Sequence, residues 1–212
     1  MAKKINCLIS AGPTREWIDP VRFISNPSSG KMGYALAKEA HNRGFDVNLV
    51  SGPVSIRPVD GIMVTRVETA EEMRKAMLEK FDSSDLILMC AAVSDHKPKF
   101  QWEQKKKKDQ FPQNIEMIPN KDILLELGQK KKKLQTLVGF AAETENGVQN
   151  ALEKLNKKNL DWIALNDISN KKIGFDKDFN EITLFSSSGK RVNLDFSKKE
   201  ELATQMFELI LK

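Results

Sequence analysis

Ser28-Ser29-Gly30 is the first stretch whose residue types and placement suggest chemistry. An apolar run, Ile5 to Ile9, precedes it, and an alanine-rich pattern of helical period, Met32 to Arg43, follows it. A strand, a polar segment and a helix in that order put the segment at the carboxyl end of the first strand, where open α/β sheets bind ligands. Hydroxyls and backbone N–H groups at the start of a helix can hold an anion, and Arg15, Arg22 and Lys31 add positive charge nearby. Two common phosphate motifs fail. A P-loop requires glycine at the position of Ser25 and Ser or Thr at that of Met32. The dinucleotide fingerprint requires glycine at the position of Ser28. The segment from Ile9 to Gly33 therefore reads as an anion-binding loop of another kind. A connection of about 20 residues without structure is uncommon unless it has a function, although a basic surface loop is the plain alternative.

A second group follows the apolar run Asp85 to Ala91. Asp95, in the turn after Ala91-Ala92-Val93, can accept hydrogen bonds from a base or a hydroxyl, or cap its own turn. His96 beside it reads as surface. Lys99 to Phe111 is polar and lysine-rich and reads as a flexible segment, either a mobile flap over an anionic ligand or a solvated loop. Asn120 to Leu124 opens a helix whose N-terminus can meet a phosphate. Phe140 can stack on a base or pack in the core. Lys154 and Lys158, four apart, share a helix face and can meet a triphosphate or simply solvate. No Ser-His-Asp or Cys-His pattern and no Cys/His metal cluster is present.

The elements that must position these residues alternate. Strands are expected at Ile5–Ile9, Asp46–Val50, Gly61–Val67, Asp85–Ala91, Gln113–Ile118, Thr136–Thr144 and Leu160–Asp167. Helices are expected at Met32–Arg43, from Thr69 with Glu72 completing a capping box, at Asn120–Lys131, Val148–Asn159 and Glu200–Leu211. Asn180–Phe185 and Arg191–Phe196 read as a hairpin. The fold class is α/β: a doubly wound, mainly parallel, Rossmann-like sheet with an added antiparallel hairpin, in a single domain over residues 1–212. Ile182, Leu184, Val192 and Leu194 give that hairpin an apolar face, expected to pair with a second copy in a homodimer.

Composition narrows the partners. The net charge is +5, and Lys105–Lys108 with Lys130–Lys133 contribute eight positive charges, so the basicity is local. This disfavours a nucleic-acid face and favours anionic small molecules. No apolar run reaches the roughly 18 residues a membrane span needs, and no signal-peptide core precedes Ser10. Cys7 and Cys90 read as core thiols of a reducing cytoplasm.

Ser10-Ala-Gly-Pro-Thr-Arg-Glu16, Asp19-Pro-Val-Arg-Phe-Ile-Ser-Asn26 and Ser28-Ser-Gly-Lys-Met-Gly33 resemble the opening of phosphopantothenoylcysteine synthetase, a ligase of coenzyme A biosynthesis. The Ala91-Ala-Val-x-Asp95 turn, Asn120-Lys-Asp-Ile123 and Thr136–Thr144 resemble its later motifs. Ser94, His96 and Lys97 stand where the family commonly has Ala, Tyr and Arg, and Lys121 replaces a proline. The resemblance implies that 4′-phosphopantothenate, L-cysteine and a nucleoside triphosphate give 4′-phospho-N-pantothenoylcysteine through an acyl-nucleotide. It implies CTP for a bacterial-type motif set, with accompanying Mg²⁺, no protein metal site, a homodimer and the stand-alone form lacking the fused flavin-dependent decarboxylase. By position, Ser28, Ser29 and Gly30 would hold the phosphopantothenate phosphate and Asn26 the acyl region. Arg22 would support catalysis, from a partner copy or its own. The nucleotide would meet Met89, Cys90, Ala91, Asp95, Lys105, Lys121, Asp122, Ile123, Leu124, Phe140, Lys154 and Lys158. Lys105 falls on the family's flap lysine, needed to turn the acyl-nucleotide into product. The competing reading from the residues is an NAD(P)-binding oxidoreductase on the same kind of fold. The missing glycine at position 28 and the lone Tyr34, inside the first helix, count against it.

Overall fold

The computed structural model describes residues 4–167 and 177–212. The chain runs β1 (Asn6–Ala11), β2 (Arg15–Asp19), β3 (Arg22–Ser25), α1 (Lys31–Asn42), β4 (Asp46–Ser51), β5 (Met63–Arg66), α2 (Ala70–Phe81) and β6 (Leu86–Met89). It continues through β7 (His96–Pro98), β8 (Met117–Pro119), α3 (Ile123–Lys130), β9 (Thr136–Glu143), α4 (Gly147–Lys157), β10 (Trp162–Asp167), β11 (Phe179–Ser186), β12 (Arg191–Lys198) and α5 (Lys199–Ile210). One sheet carries eight strands in the order β12-β11-β10-β9-β6-β1-β4-β5, with β1 paired in parallel to both β4 and β6. Strand order thus reverses at β1, which is the switch point where such sheets leave a crevice. The hairpin β11–β12 is antiparallel and closes one edge, as expected.

Side chains alternate across β1. Cys7, Ile9 and Ala11 face the layer of α1 and α5, and Leu8 faces α2, α3 and α4. Each helix earns its place by an apolar stripe: Met73, Met77 and Phe81 of α2 are fully covered, and Thr69 with Glu72 forms the anticipated capping box. Close approach places α1. A Cβ on Gly33 would lie 2.5 Å from the Ala11 Cβ, so glycine lets the helix press onto the end of β1. Gly30, with φ +78, turns the chain into that helix through a conformation other residues resist.

Three expectations are corrected. The segment between β1 and α1 is not structureless, because β2 and β3 form an antiparallel hairpin. Aromatic and β-branched residues on either side of Pro20-Val21 carry it, and the Asp19 carboxylate closes the turn by accepting the Val21 N–H at 2.9 Å. Ile18 is buried and Glu16 accepts the N–H of Ala70 at the start of α2, so the hairpin is anchored rather than waving. The expected strand Gln113–Ile118 shrinks to β8, paired over three residues with β7. Finally, the apolar face of β11–β12 is covered from within: Ile182, Leu184 and Leu194 are buried in the same cluster as α5, with Val192 packed against it. Those side chains are not a surface for a second copy.

Candidate functional site

Two adjoining cavities open at the carboxyl ends of the central strands. The larger, 360 Å³, has Asn26, Ser28, Ser29 and Gly30 on one side and Cys90, Ala91 and Asp95 on another. The smaller, 200 Å³, is walled by Met89, Ile123 and Leu124 and rimmed by Lys121, Asp122, Lys154 and Lys158. Ala91, Val93, Asp95 and Phe140 line both cavities, so the two form one bent trough.

The loop after β1 is knitted to the loop after β6. Thr14 N–H donates to the Ala92 carbonyl at 3.3 Å, and Ala92 N–H donates to that of Gly12 at 2.9 Å. The Asn26 carboxamide adds a clamp, its Nδ2 donating to the carbonyls of Ala92 at 3.1 Å and Val93 at 3.2 Å. Beyond Asn26, the Ser28 hydroxyl accepts the Gly30 N–H at 3.4 Å. Helix α1 has no side-chain cap and no acidic residue in its first turn. Its first N–H groups and the positive end of its dipole face the larger cavity, an arrangement suited to a phosphate. Lys31 leans outward to Asp178 at 2.8 Å, and that ammonium holds the Asp178 carboxyl below the usual carboxylate range.

The smaller cavity combines an apolar slot with charge at its rim. Met89 and Ile123 are buried, and Phe140 is half-buried between the cavities. Asp122 caps α3 by accepting the Leu125 N–H at 2.9 Å and pairs with Lys158 at 2.9 Å. Lys154 pairs with Glu143. Burial pushes the Glu143 carboxyl up, but hydrogen bonds from Lys154 and Asn150 outweigh it and hold it below its ordinary value. The two lysines thus arrive from α4 and its C-terminal end, each oriented by a carboxylate that a phosphate can displace. Cys90 lines the larger cavity, and burial pushes its thiol up to about 12, which disfavours the thiolate.

The trough brings together every residue expected to meet the substrates except Arg22 and Lys105, which line neither cavity. Lys105 is exposed, and Arg22 is engaged by the segment that carries the lysine run. Sequence reasoning missed Asn166, Asn180 and Lys199, which bring β10, β11 and α5 to the far wall of the larger cavity. Asn180 and Lys199 are almost wholly buried, and Asn166 and Asn180 each keep a carboxamide oxygen without a hydrogen-bond partner. The available signal was a polar residue near the end of each late element: Asn166 in β10, Asn180 in β11 and Lys199 in α5. Tyr34 is buried with its hydroxyl against Ser51 at 3.1 Å, which removes the tyrosine a reductase reading would need. Among the described residues, no helix is long and apolar enough to cross a membrane, and no three His, Cys, Asp or Glu side chains gather at metal-binding spacing.

Comparison with known proteins adds an independent line. Residues 2–212 match the family model described as DNA/pantothenate metabolism flavoprotein C-terminal domain. The chain is 44% identical over 204 residues to the coenzyme A biosynthesis bifunctional protein CoaBC of Bacillus subtilis, covering 96% of this chain and 50% of that one. Against the CoaBC protein of Escherichia coli it is 41% identical over 212 residues, covering 99% of this chain and 52% of the other. The chain therefore spans about half the length of these relatives. The crystal structure of a CoaBC C-terminal domain superposes with TM-score 0.83 at 38% identity, covering 97% of this chain and 93% of that one. A Cab2 mutant in complex with phosphopantothenate-cysteine shares the fold, with TM-score 0.76 at 16% identity, covering 98% of this chain and 85% of that one.

Proposed function

Because the chain belongs to the family of DNA/pantothenate metabolism flavoprotein C-terminal domains, we propose that it is a ligase joining 4′-phosphopantothenate to L-cysteine at the expense of CTP. The observation that carries this reading is the bent trough: an apolar, lysine-rimmed slot continuous through Asp95 and Phe140 with a cavity that ends on an uncapped helix N-terminus. A ligase of this kind has to place a nucleoside, a phosphate and an acyl carboxylate in one line of contact.

The chemistry asks little covalent work of the protein. A carboxylate oxygen of phosphopantothenate attacks the α-phosphorus of CTP, the bond to the β-phosphate breaks, and pyrophosphate leaves. The cysteine amine then attacks the acyl carbon, CMP leaves, and the amine gives up a proton. Phe140, Met89 and Leu124 hold the base, Asp95 accepts from the nucleoside, and Lys154 and Lys158 meet the phosphates. Asn26 reaches the acyl group, and the N–H groups of Ser28–Gly30 hold a phosphate group of either substrate. Mg²⁺ would accompany the triphosphate and would supply charge neutralisation at its phosphates; among the described residues no carboxylate cluster gathers to hold it, and Asp95 serves the nucleoside. A homodimer is part of the proposal, formed on a surface other than the buried face of β11–β12. The test is pyrophosphate release from the purified chain: it must require CTP and phosphopantothenate together, and phosphopantothenoylcysteine must appear only when cysteine is added. Pyrophosphate release without phosphopantothenate, or none with all three, overturns the reading.

A further inference from the structure

The lysine run does not hang free. Between β7 and β8 the chain folds back as a strap onto the hairpin β2–β3, and the fastening is specific. The Trp102 N–H donates to the Ile18 carbonyl at 2.9 Å. The Lys106 N–H meets the Asp19 carboxylate at 3.4 Å, and the Lys106 carbonyl accepts from Arg22 Nη2 at 2.8 Å. The Arg22 guanidinium lies 4.1 Å from the centre of the Phe111 ring, and Phe111 meets Trp102 edge-on at 6.1 Å. Asp19 sits at the middle of this arrangement, fully buried, with Arg22 Nη1 3.6 Å away. Burial alone would raise its carboxyl, but the N–H groups of Val21, Lys106 and Arg22 and the Arg22 charge keep it ionised, below the usual carboxylate range.

We propose that Asp19, Arg22 and Phe111 are positioning residues: they clasp the strap to the hairpin that leads straight into the Asn26–Gly30 loop, so that phosphate loop and lysine run move as one body. Arg22 then acts through the backbone of Lys106 and not by touching substrate. The geometry explains the choice of types. A planar guanidinium can bond a carbonyl at its edge while its face lies flat on a ring, whereas a lysine ammonium has no planar face to stack. The buried carboxylate fixes the guanidinium and accepts the N–H of the same Lys106 whose carbonyl the guanidinium bonds, so loss of any member loosens the other two. With the clasp made, the exposed Lys105 side chain is the free arm of an anchored segment.

The clasp itself is read from geometry; its effect on turnover rests on the ligase reading above. Two readouts keep these apart. The first is trypsin cleavage after Lys105–Lys108 of the intact folded chain, followed by mass spectrometry. Removing the ring contact in Phe111→Leu should speed cleavage about 2- to 5-fold, the worth of one cation–π contact. Asp19→Asn should speed it at least about 10-fold, the lower worth of one hydrogen bond to a charged acceptor. Phe111→Tyr, which keeps the ring, should cleave at the parent rate. Phe111 is half-exposed, so its variants test the idea even if Asp19→Asn fails to fold. The second readout is single-turnover chemistry: Phe111→Leu should release pyrophosphate in the first turnover at the parent rate, with an unchanged KM for CTP, while product formation slows. Unchanged cleavage in Phe111→Leu overturns the clasp. Faster cleavage with parent-like product formation overturns its role in positioning, and faster cleavage of Phe111→Leu than of a parent chain that itself makes no product leaves the clasp standing while the ligase reading falls.

Discussion

Replacing Asn26 by aspartate separates the charge of this position from its hydrogen bonds. The Asn26 amide donates to the Ala92 and Val93 carbonyls at 3.1 and 3.2 Å, and so ties the loop before α1 to the turn that carries Asp95. Aspartate loses both donors and sets a charged oxygen against two carbonyl oxygens. Two net hydrogen bonds amount to about 1–3 kcal/mol. Asn26 is partly exposed, however, so water can take over the two carbonyls, and about 1 kcal/mol is the expected loss of global stability. For a domain of this size that is a fall in Tm of about 2–4 °C. Binding suffers more, because the acyl carboxylate and phosphates approach a new negative charge. A loss near 3 kcal/mol in the transition state corresponds to about a 150-fold fall in kcat/KM for phosphopantothenate. Asn26→Ala provides the control: it loses the clamp without adding charge, and should lose about 5- to 10-fold. The assay is pyrophosphate release at varied phosphopantothenate, with Tm read by thermal shift. Equal losses in the two variants would refute the electrostatic part of this account, and unchanged kcat/KM in both would remove Asn26 from the site.

Four further outcomes are expected. CTP should support faster pyrophosphate release than ATP at equal concentration, since the slot between Met89, Leu124 and Phe140 is small and apolar; equal or better turnover with ATP would reverse the assignment. Lys105→Gln should release pyrophosphate in a first turnover yet form product at least about 10-fold more slowly, with the acyl-cytidylate trapped; the normal rate in Lys105→Gln with a slow Lys106→Gln would move the role by one residue. Light scattering should give twice the chain mass of 24.0 kDa, and a monomer mass would reject the homodimer. Stability should fall with acid. The Arg74 hydrogen bond, chiefly, holds the Glu126 carboxyl below the ordinary glutamate value. A depressed folded-state value stabilises the fold above the unfolded-state value and loses that contribution as pH falls through the folded one. Tm measured from pH 6 downward should therefore drop below about 4.3, less steeply in Glu126→Gln, and a parallel drop in that variant would refute the contribution of this pair.

The sheet was legible where burial imposes a period. Asp85–Ala91 is apolar on both faces because β6 lies between β1 and β9 with helices above and below, and the neighbouring β1 carries a similar run, Cys7 to Ala11, for the same reason. The trough was legible in part for a related reason: Ser28–Gly30 stand just before a helix and Asp95 in the turn after a central strand, and strand ends converge at the switch point of the sheet, where Phe140 of β9 joins them. Asn166, Asn180 and Lys199 stand on strand and helix ends too, but of β10, β11 and α5, whose arrival beside β9 is a matter of strand order that local pattern does not carry. The hairpin β2–β3 was hidden by its own brevity: five and four residues, each strand beginning with an arginine, give too few alternations to stand out from a polar loop. That same brevity hid the meaning of the lysine run. Read alone, Lys105–Lys108 is solvated charge, and its composition argues for mobility. What orders it lies elsewhere in the chain, in one buried carboxylate and one guanidinium of the hairpin and in aromatic rings at either end of the strap. A residue such as Arg22 can therefore sit inside a motif that points to catalysis while its own contacts are spent on holding another segment in place.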